Sequence, residues 1–242
     1  LYTETRAGAG GTASFPLDRF HRLGASLYIY EMEREWETSA PPEYGTKISP
    51  YVSIARDTSL WHLDGPIDGD RANVTLGVTQ DWDRRRRDYT YAAADLRWYL
   101  RTTRRQCFAF RAAGIGTLGP DARPLYSGGS LSLRGYNLFS FRGRRFAMFN
   151  AEYRFPVLEP SALRTSLGPA LLPPVRGALF ADAGRMWDEP SAQPEGWRGD
   201  VGISFRYVFW GVITLRTDHT VLTDFKHFGP LVPIKFFVGW SY

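Results

Sequence analysis

A chain of 242 residues is long enough for one large all-β domain and does not require two. It is 43% apolar with mean hydropathy −0.31, and it holds no run near the roughly 20 apolar residues of a membrane helix, so a bilayer could be crossed only by strands. The single cysteine, Cys107, excludes an internal disulfide and any cysteine-built metal centre, while the net charge of +5 is a weak hint of nucleic acid or anionic surfaces as partners.

Eleven strands are expected, at residues 3–18, 20–36, 45–57, 71–83, 88–101, 105–117, 143–156, 175–187, 199–209, 211–219 and 233–242. Alternation with period two repeats along almost the whole chain. In 91–100, Ala92, Ala94, Leu96, Trp98 and Leu100 share one face, opposed by Tyr91, Asp95, Arg97 and Tyr99. In 200–209, Val201, Ile203, Phe205, Tyr207 and Phe209 oppose Asp200, Gly202, Ser204 and Arg206. The last stretch sets Ile234, Phe236, Val238, Trp240 and Tyr242 against Lys235, Phe237, Gly239 and Ser241. A soluble sandwich alternates too, but its strands average about 5–6 residues, whereas tilted membrane strands need about 9–11. Aromatic residues gather near strand ends (Trp36, Trp82, Trp187, Phe209, Trp240, Tyr242), where an interfacial girdle would sit.

The expected fold is therefore an all-β, transmembrane antiparallel β-barrel in a bacterial outer membrane, with residues 1–242 as one barrel domain. Single-chain bacterial barrels have even strand counts, so eleven strands imply a twelfth or a larger missing set. The segment from Val157 to Pro174 reads as a long, proline-rich connection. The chain opens at Leu1 without a signal peptide's basic segment, apolar core and cleavage site, which reads as a processed protein or a piece of a longer one.

The longest connection, Leu118 to Arg142, contains SGGSLSLRGYNLFSFRG. It carries Leu131, Leu133, Tyr136, Leu138, Phe139 and Phe141, too apolar to hang in water, so it is expected to fold back into the lumen. Arg134 would then be buried and require carboxylate partners. Alternation supplies two: Glu152, inward with Asn150 in FAMFNAEYRF, and Asp182, inward with Phe180 and Gly184 in GALFADAGRMW. A guanidinium fork can serve two carboxylates where an ammonium serves less well.

The segments GGSLSLRGY, NAEYRFP, FADAGRMWD and the final FFVGWSY resemble the barrel of the BamA/TamA outer-membrane assembly superfamily, the bacterial surface antigen family. The resemblance covers 88–242 well and 1–87 loosely, through SFPLDRF and DGPIDGDR. It implies that Arg134, in its arginine-glycine-aromatic motif with Gly135 and Tyr136, locks the loop against Glu152 and the Asp182-x-Gly184 motif. It implies a final strand, with Phe237, Gly239, Trp240 and Tyr242, that serves as the assembly signal. In the family five strands follow the loop, as here, but a sixteen-stranded member has eleven before it against six here. That implies the C-terminal part of a sixteen-stranded barrel or a smaller-barrel branch. The periplasmic client-capturing domains of well-studied members are absent from this sequence.

By this resemblance the chain would assist insertion, assembly or translocation of outer-membrane polypeptides, through weak pairing of the first and last strands that exposes an edge to client strands. The expected partners are outer-membrane lipids, lipopolysaccharide and unfolded outer-membrane or secreted polypeptides. The alternative is a membrane anchor or exit pore for an attached N-terminal propeller or hydrolase domain; a passive diffusion channel is disfavoured by the plugged lumen.

Other signals are weaker. Arg84, Arg85, Arg86 and Arg87 form a basic tip on the long loop's side of the sheet, suited to lipopolysaccharide phosphates or simply solvated. GIGTLG at 114–119 matches a dinucleotide motif, yet Pro120 and a glycine-rich loop follow where a helix should start. Asp218, His219, Asp224 and His227 read as a solvated loop, Ser127 lacks a nucleophile's context, and no enzyme activity, cofactor, metal or nucleic-acid partner is expected.

Overall fold

The computed structural model of the protein describes residues 2–38, 41–62, 65–165, 168–187, 196–209 and 213–239. Among these the regular elements are all strands: β1 (Tyr2–Pro16), β2 (His21–Trp36), β3 (Glu43–Asp57), β4 (Leu60–His62), β5 (Gly65–Asp81), β6 (Arg86–Arg101), β7 (Cys107–Leu118), β8 (Leu125–Ser127), β9 (Phe141–Gly143), β10 (Arg145–Leu158), β11 (Ser161–Thr165), β12 (Gly168–Leu172), β13 (Val175–Trp187), β14 (Arg198–Phe209), β15 (Ile213–Thr223), β16 (Phe228–Leu231) and β17 (Lys235–Val238). The main sheet runs β1-β2-β3-β5-β6-β7-β10-β13-β14-β15-β16, with β17 also on β15 and β4 on β5. All its pairings are antiparallel. Among the described residues β1 is not paired with β16 or β17, so the sheet is an open wall of a barrel.

Register explains how alternation in single strands becomes two faces. Asp57, Arg71, Arg97, Arg111, Asn150, Asp182 and Asp200 are successive cross-strand partners, forming one polar row from β3 to β14. One residue along, Ala72, Leu96, Ala112, Phe149 and Ala183 form a row on the opposite face. Large apolar side chains of that second face, among them Leu27, Val52, Leu76, Phe108, Phe149 and Leu179, are exposed, while Lys47, Glu152, Asp182, Arg206 and Asp218 of the first are buried. This is the inverse of a soluble sheet and the arrangement a lipid-facing wall requires.

The eleven expected strands correspond to β1, β2, β3, β5, β6, β7, β10, β13, β14, β15 and β17, and the departures have local causes. The proline-rich segment after β10 is a hairpin of its own, Ser161 pairing with Leu172 through Thr165 with Gly168. β15 continues past His219 to Thr223, because His219 lies on the outer face beside Phe205 and does not end the alternation. The final strand is split into β16 and β17, four residues each, both paired with β15. Arg86 and Arg87 belong to β6, so the basic tip itself is only the turn at 82–85.

Candidate functional site

The connection at 119–144 crosses the inner face. Its root is a short hairpin, Leu125–Ser127 pairing with Phe141–Gly143. Between these strands the chain makes successive turns, closed by Ser132 N to Gly129 O (2.9 Å), Tyr136 N to Leu133 O (3.1 Å) and Ser140 N to Asn137 O (3.2 Å). Gly128 opens the series at φ +114°, a conformation that strains any side chain.

Backbone carbonyls in this segment would be costly to bury unpaired, and the wall supplies their donors. Arg216 Nη2 donates to Ser130 O at 2.6 Å, Arg111 Nη1 to Leu131 O at 2.8 Å and Asn150 Nδ2 to Ser132 O at 2.8 Å. Three consecutive loop carbonyls are thus held by β15, β7 and β10.

Arg134 follows, 1% exposed. Its Nε and Nη2 donate to the two oxygens of Asp182 at 2.7 and 2.6 Å, and Nη1 donates to Glu152 Oε1 at 2.5 Å. The guanidinium carbon lies 3.7 Å from the centroid of the Phe180 ring, which stacks beneath the fork. Glu152 also accepts from Arg154 Nε (2.6 Å) and Arg206 Nη2 (2.9 Å), and Asp182 from Asn150 Nδ2 (2.8 Å). One carboxylate therefore serves three guanidiniums while the other holds the fork's long edge.

The neighbours of Arg134 fit around this contact. A Cβ on Gly135 would lie 2.5 Å from Leu222 and 2.8 Å from Thr220, so only glycine lets the loop approach β15 this closely. Gly184 leaves room for Leu133, which a Cβ there would meet at 3.1 Å. Tyr136 donates to Gly199 O at 3.4 Å and packs edge-on against Phe141, ring centroids 4.8 Å apart.

The other expected residues lie elsewhere. Phe237 stacks on Arg216, 4.9 Å from guanidinium carbon to ring centroid, and Gly239 (φ +132°) donates its N–H to Thr214 O at 2.9 Å. Trp240 and Tyr242 lie outside the described residues. Arg84, Arg85, Arg86 and Arg87 are exposed; Arg84 and Arg86 approach Asp81 and Asp88 at 3.6 and 3.4 Å. Asp218 is buried on the inner face with Ser204 and Arg216, which takes it out of the loop where it was expected. Asp224 does lie in the turn after β15, where the backbone N–H groups of His227 and Lys226 hold its carboxyl at about 2.

Two clusters are not singled out by sequence reasoning. At the loop's root, Asp121 accepts from Arg34 (2.9 Å) and Arg123 donates to Glu4, which also accepts from Arg34 (3.2 Å), tying the loop to β1 and β2. Lys47 bridges Asp81 and Asp88 at 2.8 and 2.6 Å. Arg154 and Arg206 do occupy inward phases of their strands, so alternation carries a signal for them; the root cluster, joining residues far apart, has none.

A family model described as the Omp85 superfamily domain matches residues 2–209. The outer membrane protein assembly factor BamA of Neisseria meningitidis serogroup B (strain ATCC BAA-335 / MC58) is 25% identical over 231 residues, spanning 77% of this chain and 27% of the relative. The chain thus spans little more than a quarter of that relative's length. The crystal structure of BamA from Haemophilus ducreyi lacking POTRA domains 1-3 superposes with a TM-score of 0.76 at 15% identity, over 97% of this chain and 54% of that one, a likeness of fold. With an inside-out antiparallel wall and a family match over most of its length, the chain belongs to the Omp85 superfamily of Gram-negative outer-membrane β-barrel proteins.

Proposed function

We propose that the protein assists the insertion, assembly or translocation of outer-membrane polypeptides, with Arg134 holding the loop seated in the lumen. The observation that carries this reading is the fork of Arg134 on Asp182 and Glu152, which fixes the loop to β10 and β13 and fills bore that a diffusion channel would leave open. The unequal edges support it. β1 pairs with β2 over fifteen residues and leaves its other edge's hydrogen-bonding groups without a strand among the described residues, whereas β17 holds β15 by only four. An unpaired edge is a template for strand addition, and a weakly held last strand is easily displaced. The name assembly factor, borne by the Neisseria relative, comes to this chain as part of the same proposal. Depleting the protein and taking a census of outer-membrane proteins tests it: barrel proteins should fall together, and an unchanged census overturns the reading.

The outer face meets lipid, and the arginine tip meets lipopolysaccharide phosphates in this proposal. Of the tip's four arginines, Arg84 and Arg86 already approach carboxylates, Asp81 and Asp88. Replacing Arg85 and Arg87 with serine should lower affinity for purified lipopolysaccharide by about tenfold, the scale of one charge-assisted hydrogen bond. Equal retention by parent and variant on immobilised lipopolysaccharide would refute the contact.

A further inference from the structure

A cavity of about 670 Å³ lies between the loop and the inner face of β3 to β10, away from Arg134. Its size suits a small-molecule ligand. The space exists because Ala55, Ala93 and Ala113 present short side chains where neighbouring inner positions carry arginines.

One wall is cationic. Arg71, Arg97 and Arg111 are direct cross-strand partners, and like charges placed opposite one another destabilise a sheet. Asp95 is shared by Arg97 (2.7 Å) and Arg111 (2.8 Å), and Asp57 meets Arg71 at 2.9 Å. Arg22 also lines the space, so these four guanidiniums outnumber the two carboxylates. The arginines are not sealed: the side chains of Arg71 and Arg97 are 34% and 22% exposed, against 2% for Arg134.

The opposite wall is apolar and comes from the loop. Leu131, Leu138, Phe139 and Tyr126 line the cavity, and each is more than half exposed although none faces lipid. Phe139 is held at φ +60°, an outlier for a bulky residue, and its ring meets Tyr126 edge-on at 5.9 Å. Backbone strain that persists is over-determined by its surroundings and gathers at sites that bind. Exposed apolar side chains facing an excess of positive charge across an open-sided space define a complement with an apolar part and an anionic part.

We infer that this chamber binds a small amphiphilic anion, a phosphate or carboxylate head on Arg71, Arg97 and Arg111 with a short apolar tail against Leu131, Leu138 and Phe139. The inference is independent of the assembly role, since it uses none of the residues that fix Arg134. The test is calorimetric titration of the intact protein, folded in zwitterionic nanodiscs, with hexyl phosphate and with hexanoate; hexanol and hexyltrimethylammonium serve as controls. At least one anion should saturate a single site at least about tenfold more tightly than either control, and the tighter of the two identifies the head group. Arg71→Gln should weaken that binding about tenfold. Ala113→Leu, which fills the space and leaves every charge in place, should abolish it, and this variant decides the matter if Arg71→Gln does not fold. Equal binding of hexanol, undiminished binding in Ala113→Leu, or saturation only by a short acidic peptide would each overturn the inference.

Discussion

Arg134→Ala is expected to release the loop and to destabilise its seated state by about 3–5 kcal/mol, the cost of breaking a buried ion pair from one side. The geometry says where the loss falls. Glu152 would keep Arg154 and Arg206, but Asp182 would keep only Asn150 and, while the loop stays seated, the backbone N–H of residue 134 at 3.4 Å, with Asp200 as its cross-strand neighbour. The uncompensated charge is therefore at Asp182. Lysine at 134 keeps a positive charge without the two parallel N–H groups that now meet Asp182, so Arg134→Lys should recover only part of the loss. Limited proteolysis of the folded barrel reads this directly: new cleavage between 119 and 144 in Arg134→Ala, less in Arg134→Lys. A loop as resistant in Arg134→Ala as in the parent would remove Arg134 from its proposed role.

Glu152→Gln should be the more damaging change, at about 5 kcal/mol or more, because one neutral amide would face Arg134, Arg154 and Arg206 at once. An amide oxygen can accept from one or two of these donors but cannot offset three charges, and its own N–H groups would point at cations. Arg134→Ala should relieve part of this repulsion, so the double variant should be less destabilised than the two single effects added. Urea unfolding of the parent, both single variants and the double variant gives the cycle. Strict additivity, or a Glu152→Gln shift below about 1 kcal/mol, would mean that the cluster does not act as a unit.

Much of this fold is legible because a barrel wall repeats one rule. An apolar residue at every second position gives each strand its outward phase, and with it the inward phase of Glu152, Arg154, Asp182 and Arg206. What is not legible follows from elements that break the rule. β11 and β12 sit among Pro156, Pro160, Pro169, Pro173 and Pro174, which suppress a strand reading although a hairpin's outer edges tolerate them. β5 begins at Gly65 because GPIDGD, which reads as a turn, pairs with the short β4. The cavity depends on loop placement against several alanines, and no single-strand pattern encodes that.

The loop's anchors also bear on the order in which the molecule can form. Arg123 and Glu4 are separated by 119 residues, Arg34 and Asp121 by 87, and Arg216 and Ser130 by 86. Closing such long chain segments costs entropy before any contact rewards it, and folds rich in distant contacts form slowly. The root of the loop needs β1 and β2 in place, while its crest needs β10, β13 and β15. Seating is therefore a late event that consumes both halves of the sheet, and a chain stalled short of β15 would carry an unseated, protease-accessible loop as the mark of an unfinished wall.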